Sequence, residues 1–286
     1  MAQNSKIGWT DDTVNFWWGC TEAGAECDNC YARTLDKMRG PLMDKANKTT
    51  HWGHDAPRWI RTEAALLDLA RSNRAAEKEG RPRRVFINSM SDIFEKRDDL
   101  DAPRAALWEA IPKYPMLRFL LLTKRPANIT HQMVPEKWFH KLGGFPKNVA
   151  IGTTVGNKRA VTARAAQLIN LHGYAHTLFF SIEPMLEPLS MEFYNLVSRL
   201  DRSVREKMWL LVGGESGSGA RPFDVRAAEH LRELAEFGGM HFFMKQMGSR
   251  YVLDGKESEF TPNDHRSKME DFTEKLRLQQ VPPALS

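Results

Sequence analysis

From residue 84 onward, short apolar runs alternate with amphipathic stretches. Arg84-Val85-Phe86-Ile87-Asn88 reads as a strand. So do Leu117–Thr123, Val149–Thr153, Thr177–Ser181, Trp209–Gly213 and His241–Lys245. Helical periodicity follows them over about 100–112, 126–142, 158–171, 191–206 and 224–237. Upstream, residues 4–19 read as an extended lead-in with a short strand at Ile7–Thr10. Tyr31–Arg39 reads as a helix, 40–57 as irregular, and Trp59–Glu79 as a long helix stopped by Gly80. The tail offers one more amphipathic segment, 264–278, before Pro282-Pro283. Continuous apolar strands between helices predict a parallel sheet covered on both faces. Six such strands and one near the N-terminus predict an α/β fold, a closed or partial (β/α) TIM-like barrel of six to seven parallel strands. A doubly wound open sheet is the alternative. No linker or low-complexity segment divides the chain. One barrel domain is therefore expected over 1–255, with a helical tail packed on it over 256–286.

The strand ends are more polar than a core needs. They carry Asn88-Ser89-Met90-Ser91-Asp92, Thr123-Lys124-Arg125-Pro126, Thr153-Thr154, Ser181-Ile182-Glu183-Pro184, Gly213-Gly214-Glu215-Ser216-Gly217 and Lys245-Gln246. Ligands of parallel α/β folds sit at these ends. Helix capping accounts for Ser91, Asp92 and Thr154. It does not account for Lys124, Glu183, Glu215 and Lys245, which are charges placed directly after buried strands, where an unpaired charge is expensive. The glycines of 213–219 permit close backbone approach to a ligand, but they match neither a Walker A loop nor a dinucleotide fingerprint.

All three cysteines, Cys20, Cys27 and Cys30, lie in one polar loop with Glu22, Glu26, Asp28 and Asn29. An odd count cannot pair off as disulfides. Thiolates are soft ligands for iron–sulfur clusters, zinc or copper(I). Three of them on a cubane leave one iron open, whereas a structural zinc takes a fourth protein ligand such as His51 or His54. Clustered cysteines suit a reducing compartment. No apolar run reaches membrane-spanning length and no signal pattern opens the chain, so a soluble cytoplasmic protein is expected. The formal net charge of +5 mildly favours a polyanionic partner.

Together, Gly19-Cys20…Cys27-Asp28-Asn29-Cys30-Tyr31-Ala32, the ends of the strands at 88–92, 122–126, 181–184 and 212–217, and Phe243-Met244-Lys245-Gln246 resemble a phage- and prophage-associated family with a three-cysteine motif. That family is similar to a divergent branch of the radical S-adenosylmethionine (SAM) enzymes, nearest the spore photoproduct lyase type. The resemblance implies a partial β/α barrel with a [4Fe-4S] cluster on Cys20, Cys27 and Cys30. SAM would chelate the fourth iron and be cleaved reductively to a 5′-deoxyadenosyl radical that abstracts hydrogen from substrate. It further implies SAM contacts from Ser89, Ser91, Asp92, Lys124, Thr153 and Thr154. Lys124, Glu183, Glu215 and Lys245 would do catalytic work, with Arg221 and Gln246 near the substrate. The expected substrate is a nucleobase in nucleic acid or a nucleotide, a modified or damaged pyrimidine handled by isomerase, mutase or lyase chemistry. The expected electron donor is flavodoxin- or ferredoxin-like. A monomer in the host cytoplasm, with no membrane partner, is expected.

Two features depart from the superfamily. The cysteine spacing is six then two residues rather than three then two, and Gly213-Gly214-Glu215 follows a late strand instead of an early one. A longer loop still closes on a cluster. A Cys3His zinc protein that binds nucleic acid without SAM chemistry is the alternative reading of the same cysteines.

Overall fold

The computed structural model describes residues 4–140, 144–217, 219–260 and 269–286. Its main sheet has seven strands: β1 (Asp12–Val14), β2 (Arg83–Ile87), β3 (Leu117–Thr123), β4 (Val149–Thr154), β5 (Thr177–Ile182), β6 (Met208–Gly213) and β7 (His241–Gln246). Strand order follows chain order from β1 to β7. The β1–β2, β2–β3, β5–β6 and β6–β7 pairs are parallel. This order lacks the reversal that defines a doubly wound sheet, and it is the winding expected of a β/α barrel. Every residue of β4, β5 and β6 is buried, as strands covered on both faces require. The chain divides into two compact units, Met1–Ile151 with Gly173–His176 and Ala284–Ser286, and Gly152–His172 with Thr177–Pro283.

In the first unit the N-terminal strand is Asp12–Val14 rather than Ile7–Thr10. Periodicity missed it because two of its three buried residues, Asp12 and Thr13, are polar. Asp12 is buried against Arg83, which donates from Nε at 2.9 Å and Nη2 at 2.8 Å. The Thr10 hydroxyl bridges to the backbone of β2, donating to Arg84 O and accepting from Phe86 N. Three helices follow their expected places: α1 (Tyr31–Met43), α2 (Thr62–Glu79) and α3 (Asp101–Ala110). Gly80 ends α2 in the left-handed conformation, at φ 66°.

The expected helix over 126–142 is replaced by 3-10 turns at Pro126–Asn128 and Glu136–Phe139, and its last residues lie outside the described ones. Pro126 and Pro135 lack the amide hydrogens that a helix would use. The apolar pattern there records instead the packing of Trp138 between Trp108 and Phe145, each with ring centroids 5.1 Å away.

In the second unit, Lys158–Ile169 is helical with a π turn at its centre. The segment expected as one helix over 191–206 is two, Ser190–Val197 and Arg202–Arg205. α4 (Val225–Gly238) is capped by Asp224, whose carboxylate accepts from Ala227 N at 3.0 Å. An unexpected antiparallel hairpin pairs Arg250–Leu253 with Lys256–Glu259. Its turn is Asp254-Gly255, both at positive φ, a dipeptide favoured in two-residue hairpins.

The expected tail helix over 264–278 begins outside the described residues. From Met269 the tail makes 3-10 turns and then runs along β7. Met244 N donates to Leu278 O and Gln280 N to Phe242 O, both at 2.9 Å. The tail thus covers the edge strand, whose open backbone groups would otherwise invite pairing with another chain.

Replacing Asp12 by Ala would leave the Arg83 guanidinium buried without its main partner. We expect a loss of about 3–5 kcal/mol of stability in urea unfolding; a loss under about 1 kcal/mol would contradict a load-carrying role for the pair.

Candidate functional site

The turn after β2 organises the first unit's polar residues. Asn88, at φ 59°, accepts from Phe16 N through Oδ1 at 2.9 Å. Asn15 answers from the other side, accepting from Met90 N at 2.8 Å and donating to Ser89 Oγ at 3.2 Å. Ser91 Oγ donates to Trp17 O. Met90 O accepts from Gly19 N, and Ser89 O accepts from the Tyr31 hydroxyl. The segment leading into the cysteine loop and the start of α1 are therefore hung on Ser89–Ser91. Both serines use their hydroxyls in this scaffold.

The first leg of the cysteine loop is anchored residue by residue. Gly19 sits at φ 106°, and a Cβ there would come within 2.2 Å of His51 O. Cys20 O accepts from Gly53 N at 2.9 Å. Thr21 N donates to Glu95 Oε1 at 3.1 Å, and Thr21 O accepts from Arg125 Nη2 at 2.6 Å. The middle of the loop makes a 3-10 turn at Ala25–Cys27, and Cys30 is the N-cap of α1. Arg33, on the first turn of α1, reaches back to Glu22 and to the carbonyl of Asp28.

Under this loop lie two buried polar clusters. Arg58 pairs with both oxygens of Glu95, at 3.0 and 2.7 Å, and donates to Thr21 Oγ1 and to the carbonyls of His51, Gly53 and Ala56. His51 is fully buried between Asp36 Oδ1 at 2.8 Å and Asp44 Oδ2 at 3.0 Å. Burial would raise the Asp44 carboxyl, but hydrogen bonds from Asn47, His51 and the Ala46 amide outweigh it and hold the group below its usual range. Gly40 is required here inside α1, because a Cβ would meet Asp36 Oδ1 at 2.5 Å. With both ring nitrogens engaged, His51 is a structural tie and not a free metal ligand. His54 is exposed beside Asp55.

The sulfurs have polar company. Cys27 Sγ accepts from Ala23 N at 3.5 Å, and Arg125 Nη1 lies 3.9 Å from Cys20 Sγ. Arg125 is a contact that sequence reasoning passed over in favour of its neighbour Lys124. Its position between two named strand-end residues was the available signal. Asp92 accepts from Phe94 N and the Thr123 hydroxyl on one oxygen, and from Lys124 N and Arg125 Nη1 on the other. Its carboxylate is thereby filled. Asp92 positions Lys124 and Arg125 through these bonds. Arg125 stays charged despite burial because the Asp92 and Glu95 carboxylates face it. The Lys124 ammonium makes no hydrogen bond or ion pair among the described residues, and its field falls on Cys20. Burial, with the nearby Asp92 charge, pushes the Cys20 thiol up to about 12. Among the described residues, no three His, Cys, Asp or Glu side chains converge as ligands of one metal ion.

The second unit holds the remaining predicted residues in two sets. Glu183, directly after β5, pairs with Lys245 and accepts from Gln246 Nε2 at 3.1 Å. Gln246 also donates to Gly214 O and Ser216 Oγ. Glu215 is buried and accepts from Arg221 N, Nε and Nη2 at 2.9, 3.1 and 2.7 Å, so its oxygens too are spoken for. Thr153 and Thr154 are fully buried at the end of β4. At Gly214 in the glycine-rich stretch the close neighbour is the chain itself, whereas Gly217 and Gly219 face open space. A Cβ on Gly214 would meet Met247 O at 2.2 Å, so the close approach is to the chain's own backbone.

In metal-free protein, a thiol raised to about 12 is protonated at pH 8. Cys20 should then react with iodoacetamide on the order of a thousandfold more slowly than a free thiol, with labelling rising steeply above pH 10. Peptide mapping reads the rate at each cysteine; rapid labelling of Cys20 at pH 8 would contradict this environment.

No curated protein and no solved structure matches the chain. No helix among the described residues is long and apolar enough to cross a membrane. The model of the family described as "Protein of unknown function (DUF5131)" matches residues 4–275. The match spans nearly the whole chain, which therefore belongs to that family.

Proposed function

We propose that the chain is a radical SAM enzyme acting on a nucleobase-type substrate, with a [4Fe-4S] cluster on Cys20, Cys27 and Cys30. The observation that carries this reading is the polar setting of the cysteine loop. Two of its sulfurs face N–H donors, from Ala23 and Arg125, and the Lys124 ammonium, which has no partner among the described residues, adds a positive field at Cys20. N–H donors to thiolate sulfur stabilise the ligated form and tune iron–sulfur centres. The donor types are those of such a cluster, although among the described residues the three sulfurs do not converge on one metal ion, so binding would have to draw the loop together. Three thiols share one anchored loop, and the nearest buried histidine, His51, is already held by two aspartates. Such a set leaves a metal position open, whereas a structural zinc site closes with a fourth protein ligand.

When bound, the cluster supplies the electron that cleaves SAM to methionine and a hydrogen-abstracting radical. The chain's own part is orientation and charge. Arg125 holds the first leg of the loop through Thr21 O and faces Cys20. Asp92 fixes Lys124 and Arg125 through the Lys124 amide and the Arg125 guanidinium. Lys124 is assigned to the carboxylate of SAM, since a half-buried cation with no partner among the described residues favours an anion. Ser89 and Ser91 shape the turn that carries Gly19. In the second unit, the Glu183–Lys245 pair is assigned to substrate hydrogen bonding, while Glu215 and Arg221 stabilise the loop that bears them. The formal charge of +5 and the likeness to the spore photoproduct lyase type support a nucleobase substrate.

The test is anaerobic purification, addition of dithionite and SAM, and chromatography for 5′-deoxyadenosine. The unaltered protein is expected to bind iron and sulfide and to release 5′-deoxyadenosine. Cys20→Ala, Cys27→Ala and Cys30→Ala should each lose both while keeping the circular dichroism of the folded chain; a full iron complement in any of them would remove that cysteine. Lys124→Ala should keep its iron and bind SAM about tenfold more weakly, roughly the effect of one charged hydrogen bond. Unaltered SAM affinity would take Lys124 out of the site.

A further inference from the structure

A cavity of about 340 Å³ opens in the first unit between the first leg of the cysteine loop, helix α1 and the segment at 50–54. That volume lies at the small end of the range for ligand sites. Arg33 and Lys37, four residues apart on one side of α1, contribute one part of the lining. Thr50, Trp52 and His54 contribute another, and Thr21 and Glu22 a third. Buried bonds pin the first two parts together. Asp36, next to Lys37, accepts from the amide of His51 at 2.7 Å and faces its ring at 2.8 Å, and His51 lies between Thr50 and Trp52 in the chain. Trp52 is half-buried and backed by the core cluster of Trp18, Ala32 and Met90. The polar groups of the lining divide into engaged and free. Arg33 pairs with Glu22, which neutralises the one carboxylate present. Thr21 Oγ1 accepts from Arg58 Nη2 at 2.9 Å, and His54 Nδ1 faces Asp55. The Lys37 ammonium, the Thr50 hydroxyl and the Trp52 indole N–H have no partner among the described residues.

All three free groups donate hydrogen bonds, and one of them carries a positive charge. With Glu22 already neutralised, the cavity therefore suits a ligand that accepts hydrogen bonds and is an anion. A single free cation matches a single negative charge. A phosphate dianion would draw on two or more cations, and Arg33 is committed to Glu22. The mostly apolar lining and the rigidly backed tryptophan suit a flat ring as the body of the ligand. We propose that this cavity binds a small aromatic carboxylate, with its ring against Trp52, its carboxylate on Lys37 and Thr50 as a second donor. None of the cysteines is among the lining residues, so the site stands apart from the radical reading and needs no metal. The pinning of Lys37 and Trp52 through His51 and Asp36 presents the two contacts together before the ligand arrives, which lowers the ordering cost of binding.

The experiment titrates the full chain with benzoate, indole-3-carboxylate and quinoline-2-carboxylate by calorimetry. Indole-3-carboxamide, acetate and adenosine monophosphate are the comparison ligands, and Lys37→Gln and Trp52→Leu the comparison proteins. A second readout follows acetylation of Lys37 by an N-hydroxysuccinimide ester, mapped by peptide with and without the acid. We expect at least one aromatic acid to bind at a single site. The carboxamide, which lacks the charge, should bind about tenfold more weakly or worse, and so should the acid to Lys37→Gln. Acetate, which lacks the ring, and the acid on Trp52→Leu should each lose affinity severalfold. Bound acid should slow acetylation of Lys37 in proportion to occupancy and leave that of exposed Lys45 unchanged. Lys37 is exposed, so its replacement leaves the core intact; should Trp52→Leu misfold by circular dichroism, Lys37→Gln and the protection of Lys37 still decide the matter. Binding of none of the three acids, equal affinity in Lys37→Gln, or an unprotected Lys37 overturns the site. Tighter binding of adenosine monophosphate than of every acid overturns the carboxylate assignment.

Discussion

A guanidinium buried beneath the cysteine loop sets the terms for the first unit. Arg58 cannot be desolvated without partners, since an unpaired buried charge is worth several kcal/mol against folding. It is met by Glu95, Thr21 and three backbone carbonyls from His51, Gly53 and Ala56. Satisfying one side chain therefore draws together the loop at residue 21, the irregular stretch at 51–56 and the segment after β2. Glu95 repeats the constraint from its own side, accepting from Thr21 N as well. The loop bearing three thiols is thus held in place by a charge that lies outside the motif. The His51 cluster acts in the same way on α1, tying Asp36 and Asp44 and leaving room only for glycine at positions 19 and 40.

The strand ends carry a second lesson about buried charge. Lys124, Glu183, Glu215 and Lys245 stand out in the sequence because a charge after a buried strand needs a partner. That reasoning is sound, but the partner need not be a ligand. Glu183 finds Lys245, Glu215 finds Arg221, and Asp92 finds Arg125. Pairing between strand-end loops absorbs most of the charge. Lys124 is left without an ion pair among the described residues, half-buried beside Cys20, and for that reason it weighs more than the other three.

The six strands between residues 83 and 246 were legible because each is a continuous apolar run. The winding of the sheet followed from their number and their alternation with helices. Much of what escaped the sequence depends on polar residues or on distant partners. β1 is hidden by Asp12, whose burial depends on Arg83, far along the chain. The hairpin at 250–259 has mostly polar or half-exposed side chains, and only Asp254-Gly255 signals it. The 126–142 region carries helical periodicity, yet two prolines and the Trp108–Trp138–Phe145 stack decide its path. In the same way the cysteines announced the candidate site, whereas Arg58, Glu95 and Arg125, which hold and face them, carry no local signature. Their contacts with Thr21 and Cys20 span 37 to 105 positions.

The central claim is that Cys20, Cys27 and Cys30 hold a cluster with one iron open to SAM. The most direct measurement is the electron paramagnetic resonance spectrum of the iron-loaded, dithionite-reduced protein, before and after SAM is added. The account predicts the signal of a reduced [4Fe-4S] centre, with g values that change on adding SAM because the amino acid end of SAM becomes an iron ligand. A protein that takes up one zinc, accepts no iron–sulfur centre and gives no such signal would contradict it, as would a reduced cluster whose spectrum is indifferent to SAM.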